Sequence, residues 1–196
     1  MHAARIQNPV RGAGGADPSE GSRRARALLR GPRLNAGRRL GIPPLRRLDV
    51  LVAEVPHKGG TTYGIRVEGD GGSLAYLPDH APTSLGGGMD GLGERHDAAL
   101  KLCANVDLLI HDAQHTAKEF PMLAFLGHAT IDYAVALAEE ADVGTLCLFH
   151  HAPNRTDDEI DEIVRELSGE LSVMAAAEGS VIVLDGARPA VAEVTT

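Results

Sequence analysis

A chain of 196 residues, 43% of them hydrophobic, suffices for one domain with its own core and is short for several. No apolar run reaches the length of a membrane helix or of a secretory signal's apolar region, so a membrane-bound or exported protein is not expected and a cytoplasmic location is the default. Charge is uneven: residues 1–50 hold eleven arginines, no lysine and three acids, net +8, whereas residues 51–196 are net −16, a body that disfavours binding to a nucleic-acid backbone.

The expected organisation is an arginine-rich, low-complexity segment at 1–48, one domain at 49–188 and a tail at 189–196. The first segment suits an acidic surface or nucleic acid as a partner. Its mixture of Arg with Gly, Ala and Pro, without hydrophobic periodicity, favours a drifted reading frame or a mis-set start instead. Asp49 to Val55 and Thr62 to Glu68 read as strands between Gly-rich breaks. Glu68-Gly69-Asp70-Gly71-Gly72-Ser73 is a hairpin turn signal, and the returning strand runs from Ser73 to Leu77. After a loop from Pro82 to Gly93, a helical pattern from Glu94 to Ala104 leads into a strand from Val106 to His111. The alternation repeats as a helix over Thr130 to Glu140 and a strand over Thr145 to His150, which predicts an α/β fold with helices layered on a sheet. Thr156-Asp157-Asp158-Glu159 is a capping box opening a helix whose Ile160, Ile163, Val164 and Leu167 form one apolar stripe. Short strands at Leu171 to Met174 and Ser180 to Leu184 close the domain. Cys103 and Cys147 sit in apolar surroundings and read as small core residues.

A single histidine is more often a packing or surface residue than a ligand. Here seven of the eight histidines after position 50 fall at or just beyond predicted strand ends or in turns, where functional groups sit above a scaffold. His96, inside a charged helix, reads as solvated surface. His57, Asp79 and His150 each stand where a strand runs out, and a strand end is rigid enough for side chains from several strands to meet on one metal cluster. Imidazole and carboxylate suit zinc, manganese or iron, and a carboxylate can bridge two ions about 3.5–4 Å apart. Gly59-Gly60 lacks the Lys-Ser/Thr ending of a phosphate-binding loop and reads as a tight turn.

Five ordered stretches between Val52 and about Leu184 carry a family resemblance: His57-Lys58-Gly59-Gly60-Thr61-Thr62-Tyr63-Gly64-Ile65-Arg66-Val67-Glu68, Tyr76-Leu77-Pro78-Asp79, Leu108 to Thr116 (reading His111-Asp112-Ala113-Gln114-His115), Gly127-His128-Ala129-Thr130, and Leu148-Phe149-His150-His151-Ala152-Pro153. Together they resemble the C-terminal half of metallo-β-lactamase-fold hydrolases, in the branch of ribonuclease Z and related phosphodiesterases. The resemblance implies an α/β fold, a β-sheet with flanking helices in an αββα sandwich that is incomplete on its N-terminal side. It also implies two zinc ions, with manganese or iron as alternatives, held by His57 on the first metal, Asp79 as the bridge and His150 on the second. Asp79 and His128 are then the catalytic pair, His128 handling phosphate or the leaving group, with a backbone-bonded turn histidine as its plainer reading. Asp112 is expected either to orient a ligand histidine or to cap a helix over Ala113 to Phe120. His80, His111, His115 and His151 are further candidates.

The family's His-x-His-x-Asp-His loop does not occur in this sequence, whose only histidine before His57 is His2. Two expectations follow. One is a metal-dependent hydrolase of a small-molecule ester or phosphodiester. The other is a truncated or degenerate, non-catalytic derivative that acts as a fragment or a partner-binding subunit. A homo-oligomer or a complementing chain that supplies the missing half would go with a large exposed apolar face.

Overall fold

The computed structural model describes residues 23–25, 48–167, 169–186 and 189–192, so most of the 1–48 segment and the end of the tail lie outside the described residues. Its centre is a seven-stranded sheet whose spatial order is the chain order. The strands are β1 (Arg23–Ala25), β2 (Asp49–Val55), β3 (Thr62–Gly69), β4 (Gly72–Leu77), β5 (Leu108–Asp112), β6 (Thr145–Phe149) and β7 (Ser172–Ala175). β1 through β4 pair antiparallel, β4 through β7 parallel. The switch follows from the connections. A two-residue turn, Asp70-Gly71, can only reverse the chain from β3 to β4, while each later link carries a helix and returns the chain in the same direction. Those helices are α1 (Asp97–Cys103), the short α2 (Phe120–Leu123) followed by α3 (Ile131–Glu140), and α4 (Asp157–Glu166). A small separate pair, β8 (Val181–Val183) with β9 (Ala190–Ala192), closes the described part.

Period-two alternation sorts the strand side chains onto two faces. One rung runs Leu51, Arg66, Ala75, Leu109, Leu146, Val173 across six strands. All of these except Arg66 belong to the core packed beneath α1 and α3, with Leu102, Tyr133 and Leu137 fully buried. α1 presses so close to β3 that a Cβ on Gly64 would stand 2.6 Å from Leu102 Cδ1, which is why a glycine interrupts that strand. Arg66 faces the same side and donates from one terminal nitrogen to the Leu102 and Ala104 carbonyls, at 3.1 and 2.6 Å, closing the C-terminal end of α1. The opposite rung, Val52, Ile65, Tyr76, Ile110, Cys147 and Met174, is also apolar throughout.

The expected α/β arrangement is found, with element ends displaced by a few residues. α1 starts at Asp97 because His96 caps it, the ring accepting from Ala99 N, where the sequence pattern pointed to Glu94. The helix considered for Ala113 to Phe120 does not form; Asp112 turns its carboxylate inward, and the chain makes turns until α2. Both halves of the Thr156–Glu159 capping box are present. Cys103 and Cys147 are buried free thiols that burial pushes up to about 12 and about 11, as inert core residues should be.

Candidate metal and acid–base site

β2 and β4 flank the antiparallel β3, so they run in one direction, and β5 and β6 continue it. The carboxyl ends of these four strands therefore lie along one edge of the sheet. His57 follows β2, Asp79 follows β4, Asp112 ends β5 and His150 follows β6. Sequence spacing could not reveal this edge; the strand directions create it.

Ligand atoms of Asp79, His128 and His150 all lie within 4.8 Å of one another. His150 Nε2 is 3.2 Å from Asp79 Oδ1, and the His150 and His128 rings stack at 4.5 Å. His150 holds φ +58°, a left-handed conformation that a non-glycine residue rarely adopts, and it aims the ring across the strand ends. His57 stands beside this group, its ring centroid 5.5 Å from that of His128, with its buried Nδ1 lacking any hydrogen-bond partner. Of the sequence candidates, Asp79 and His150 meet directly, His128 joins them, and His57 borders the group. The imidazole and carboxylate donors fit zinc, and the His57 nitrogen beside them is a lone pair or N–H without a hydrogen-bond partner among the described residues.

Asp112 is the hidden support. Fully buried, it accepts from His128 Nδ1 at 2.7 Å and His80 N at 3.1 Å through Oδ2, and from Gln114 N at 3.2 Å through Oδ1. Its hydrogen bond pushes the His128 imidazole above the ordinary value, outweighing the opposing effect of burial. With Nδ1 so engaged, His128 keeps Nε2 for chemistry.

Behind Asp112 lies a chain of three rings. His111 Nδ1 is 2.6 Å from the Asp112 carbonyl, His111 Nε2 is 2.9 Å from His80 Nδ1, and His80 Nε2 is 2.8 Å from His96 Nε2. A carbonyl only accepts, so His111 donates from Nδ1, which obliges His80 to donate from Nδ1 and His96 from Nε2. His96 Nδ1 then accepts from Ala99 N, as observed. Every link is satisfied with all three rings neutral, and burial correspondingly lowers all three below the ordinary imidazole value. His96 is thus a half-buried link and not the solvated residue its charged surroundings suggested. Both ring nitrogens of His80 and of His111 are taken up within this chain. His115 is buried with both ring nitrogens unpartnered, 6.4 Å from the His128 ring, and His151 buries an unpartnered Nε2.

Gln114 lies in one of the stretches that carry the resemblance but had no role assigned to it, and Arg155 carried no signal in the sequence. The buried Gln114 amide nitrogen is 2.9 Å from His150 Nδ1, and Arg155 donates to the Gln114 carbonyl at 3.3 Å and to Glu119 at 2.8 Å. Burial pulls the Glu119 carboxyl upward, but hydrogen bonds from Thr116 and Arg155 prevail and hold it at about 2.

The family model described as "Beta-lactamase superfamily domain" matches residues 23–151. Ribonuclease Z of Brevibacillus brevis is 34% identical over 77 residues, 39% of this chain and 24% of that protein. A putative ribonuclease Z of Mycobacterium tuberculosis is 30% identical over 107 residues, 54% of this chain and 45% of that protein. The crystal structure of the metallo-beta-lactamase fold protein YhfI from Bacillus subtilis superposes with a TM-score of 0.50 at 20% identity, over 66% of this chain and 46% of that one. The chain thus spans between about a quarter and just under half of the length of these proteins. By the match over residues 23–151, the chain belongs to the β-lactamase superfamily domain family.

Proposed function

We propose that the chain is a metal-dependent hydrolase acting on a phosphodiester or other ester of a small molecule. The observation that carries this reading is the convergence of Asp79, His128 and His150 within 4.8 Å, with buried Asp112 behind His128. His57, Asp79 and His150 are the residues that would hold zinc, or manganese or iron in its place. A bound divalent ion of this kind supplies Lewis acidity and a lowered pKa for water. The protein's own part is positional and acid–base. His128 is kept protonated to higher pH by Asp112, which holds its Nδ1, and Nε2 is left to give its proton to the leaving oxygen. Ribonuclease Z relatives bring RNA into consideration, yet the net charge of −16 over residues 51–196 opposes a polyanion. A cytoplasmic location accords with the buried free cysteines.

One observation favours a second role for His128: its ligand atom lies as near Asp79 and His150 as a third metal ligand would. A buried carboxylate behind a histidine serves a ligand as well as an acid. The test loads the purified chain with zinc and follows metal content together with hydrolysis of bis(p-nitrophenyl) phosphate and of RNA. Stoichiometric zinc that disappears in His57→Ala and Asp79→Ala, with turnover of the small diester, supports the proposal. A His128→Asn chain that keeps its zinc but turns over about 10²–10⁴ times more slowly identifies the acid; loss of zinc from it identifies a ligand. Absence of zinc and of turnover in the unaltered chain would instead support a non-catalytic derivative.

A further inference from the structure

His150 is held between two groups that fix where its proton lies. On one side the Gln114 side-chain nitrogen stands 2.9 Å from Nδ1; an amide nitrogen only donates, so Nδ1 accepts. On the other side Nε2 faces the Asp79 carboxylate at 3.2 Å, a contact whose negative charge favours the hydrogen on Nε2. The Gln114 hydrogen bond specifies the neutral tautomer with hydrogen on Nε2, and the Asp79 charge favours the same one. That tautomer cannot offer Nε2 to a metal.

Gln114 is unusually well placed to change this. Its main chain is pinned at both ends, N–H to Asp112 Oδ1 at 3.2 Å and carbonyl to Arg155 at 3.3 Å, and the residue is 7% exposed, so its side chain cannot withdraw to solvent. The amide can still turn over in place. Reversal brings Oε1 to Nδ1, where it accepts the ring hydrogen, and leaves Nε2 with a lone pair toward Asp79. No proton is gained or lost by the ring; one hydrogen passes from Nε2 to Nδ1 by exchange with water.

We propose that Gln114 is the positioning residue of His150, a two-way amide that fixes the Nε2–H tautomer in the metal-free protein and reverses to hold Nδ1–H when His150 takes a metal. The second half rests on the metal reading above, and the first half stands without it. The pairing also explains why a long amide is buried at a strand exit, where an apolar side chain would pack at less cost.

The decisive experiment reads the His150 ring tautomer by two-bond ¹H–¹⁵N correlation in the metal-free chain, comparing the unaltered protein with Gln114→Glu and Gln114→Met. The expected result is hydrogen on Nε2 and none on Nδ1 in the unaltered chain, hydrogen on Nδ1 in Gln114→Glu because a carboxylate only accepts, and a mixture of the two tautomers in Gln114→Met. Zinc competition on the same three proteins should show Gln114→Met weaker by about 10–100-fold and Gln114→Glu no weaker than the unaltered chain. An unchanged His150 tautomer across the three proteins overturns the proposal, as does equal loss of zinc affinity in the two variants. An unaltered chain that binds no zinc overturns the metal reading and the reversal with it, while the tautomer arm still decides whether Gln114 sets the ring. Matching amide spectra for the variants and the unaltered chain exclude misfolding as the cause.

Discussion

Gly127 joins two loops of the site at one residue. It adopts φ +87°, and a Cβ there would overlap the Cβ of Lys58, whose ammonium donates to the Phe125 carbonyl and lies over the Phe125 ring. The loop carrying His57 is therefore seated on the turn carrying His128. Gly127→Ala is expected to cost about 1–3 kcal/mol and to separate the two rings, read as a lowered thermal midpoint together with shifted His57 and His128 resonances. Asp112→Asn keeps the shape but weakens the hold on the charged His128 ring. If His128 is the acid, turnover should fall and the alkaline limb of its pH profile should move to lower pH; an unmoved limb would dismiss the Asp112–His128 pair from catalysis. The neutral chain His96, His80, His111 gives a third expectation. Burial lowers these rings from the ordinary value of 6.5, so the unfolded chain binds more protons in acid. Their contribution is complete above that value and is lost as pH falls below it, toward the folded values. The raised His128 acts in the opposite sense, stabilising when charged and ceasing to do so as pH rises through its folded value. Urea midpoints in chelator should therefore fall below about pH 6.5, more shallowly in His96→Gln.

At the scale of elements, the parallel half of the sheet is built from strand and helix units, with α1, α3 and α4 each secured by a local device. α3 is capped by Thr130, α1 by the His96 ring, and α4 by the reciprocal Thr156–Glu159 box. α4 lies at the edge, against β7, and none of its residues is fully buried, so local capping matters more to it than to α3. Thr156→Ala is expected to lower stability by about 1 kcal/mol, measured by denaturant unfolding. A change much under this would mean that packing of Ile163, Val164 and Leu167 alone holds the helix. The capping box was legible because its chemistry is contained in four consecutive residues. The His96 cap was not, because its ring is fixed by His80, sixteen residues away.

The whole molecule presents a sheet with helices α1, α3 and α4 on one face and an apolar rung on the other, in which Val52, Ile65, Tyr76, Ile110 and Met174 are only half-buried. Strands in parallel pairing are normally covered on both faces. The chain is expected to associate through this face, with itself or with a complementing partner. Sedimentation velocity should show an average mass that rises above that of one chain with concentration. A single monomeric species at every concentration, with no binding of an apolar dye, would dismiss the expectation. Membrane insertion offers no alternative cover by helix, since no helix among the described residues is long and apolar enough to span a bilayer.

By itself the sequence determined the alternation of strands and helices, the β3–β4 turn, the α4 cap, the buried cysteines and the imidazole and carboxylate side chains at strand ends. Each of these depends on residues near one another in the chain, through periodicity, turn stereochemistry or side-chain type. Tertiary structure alone decided which ends meet. The common direction of β2, β4, β5 and β6 places His57, Asp79, Asp112 and His150 on one edge, the left-handed backbone at His150 turns its ring across that edge, and Asp112 points inward to His128. Gln114, and the chain of His96, His80 and His111, could not be read in advance. A hydrogen bond between buried side chains far apart in sequence leaves no periodic trace, and only the packed strands set the distances that make it.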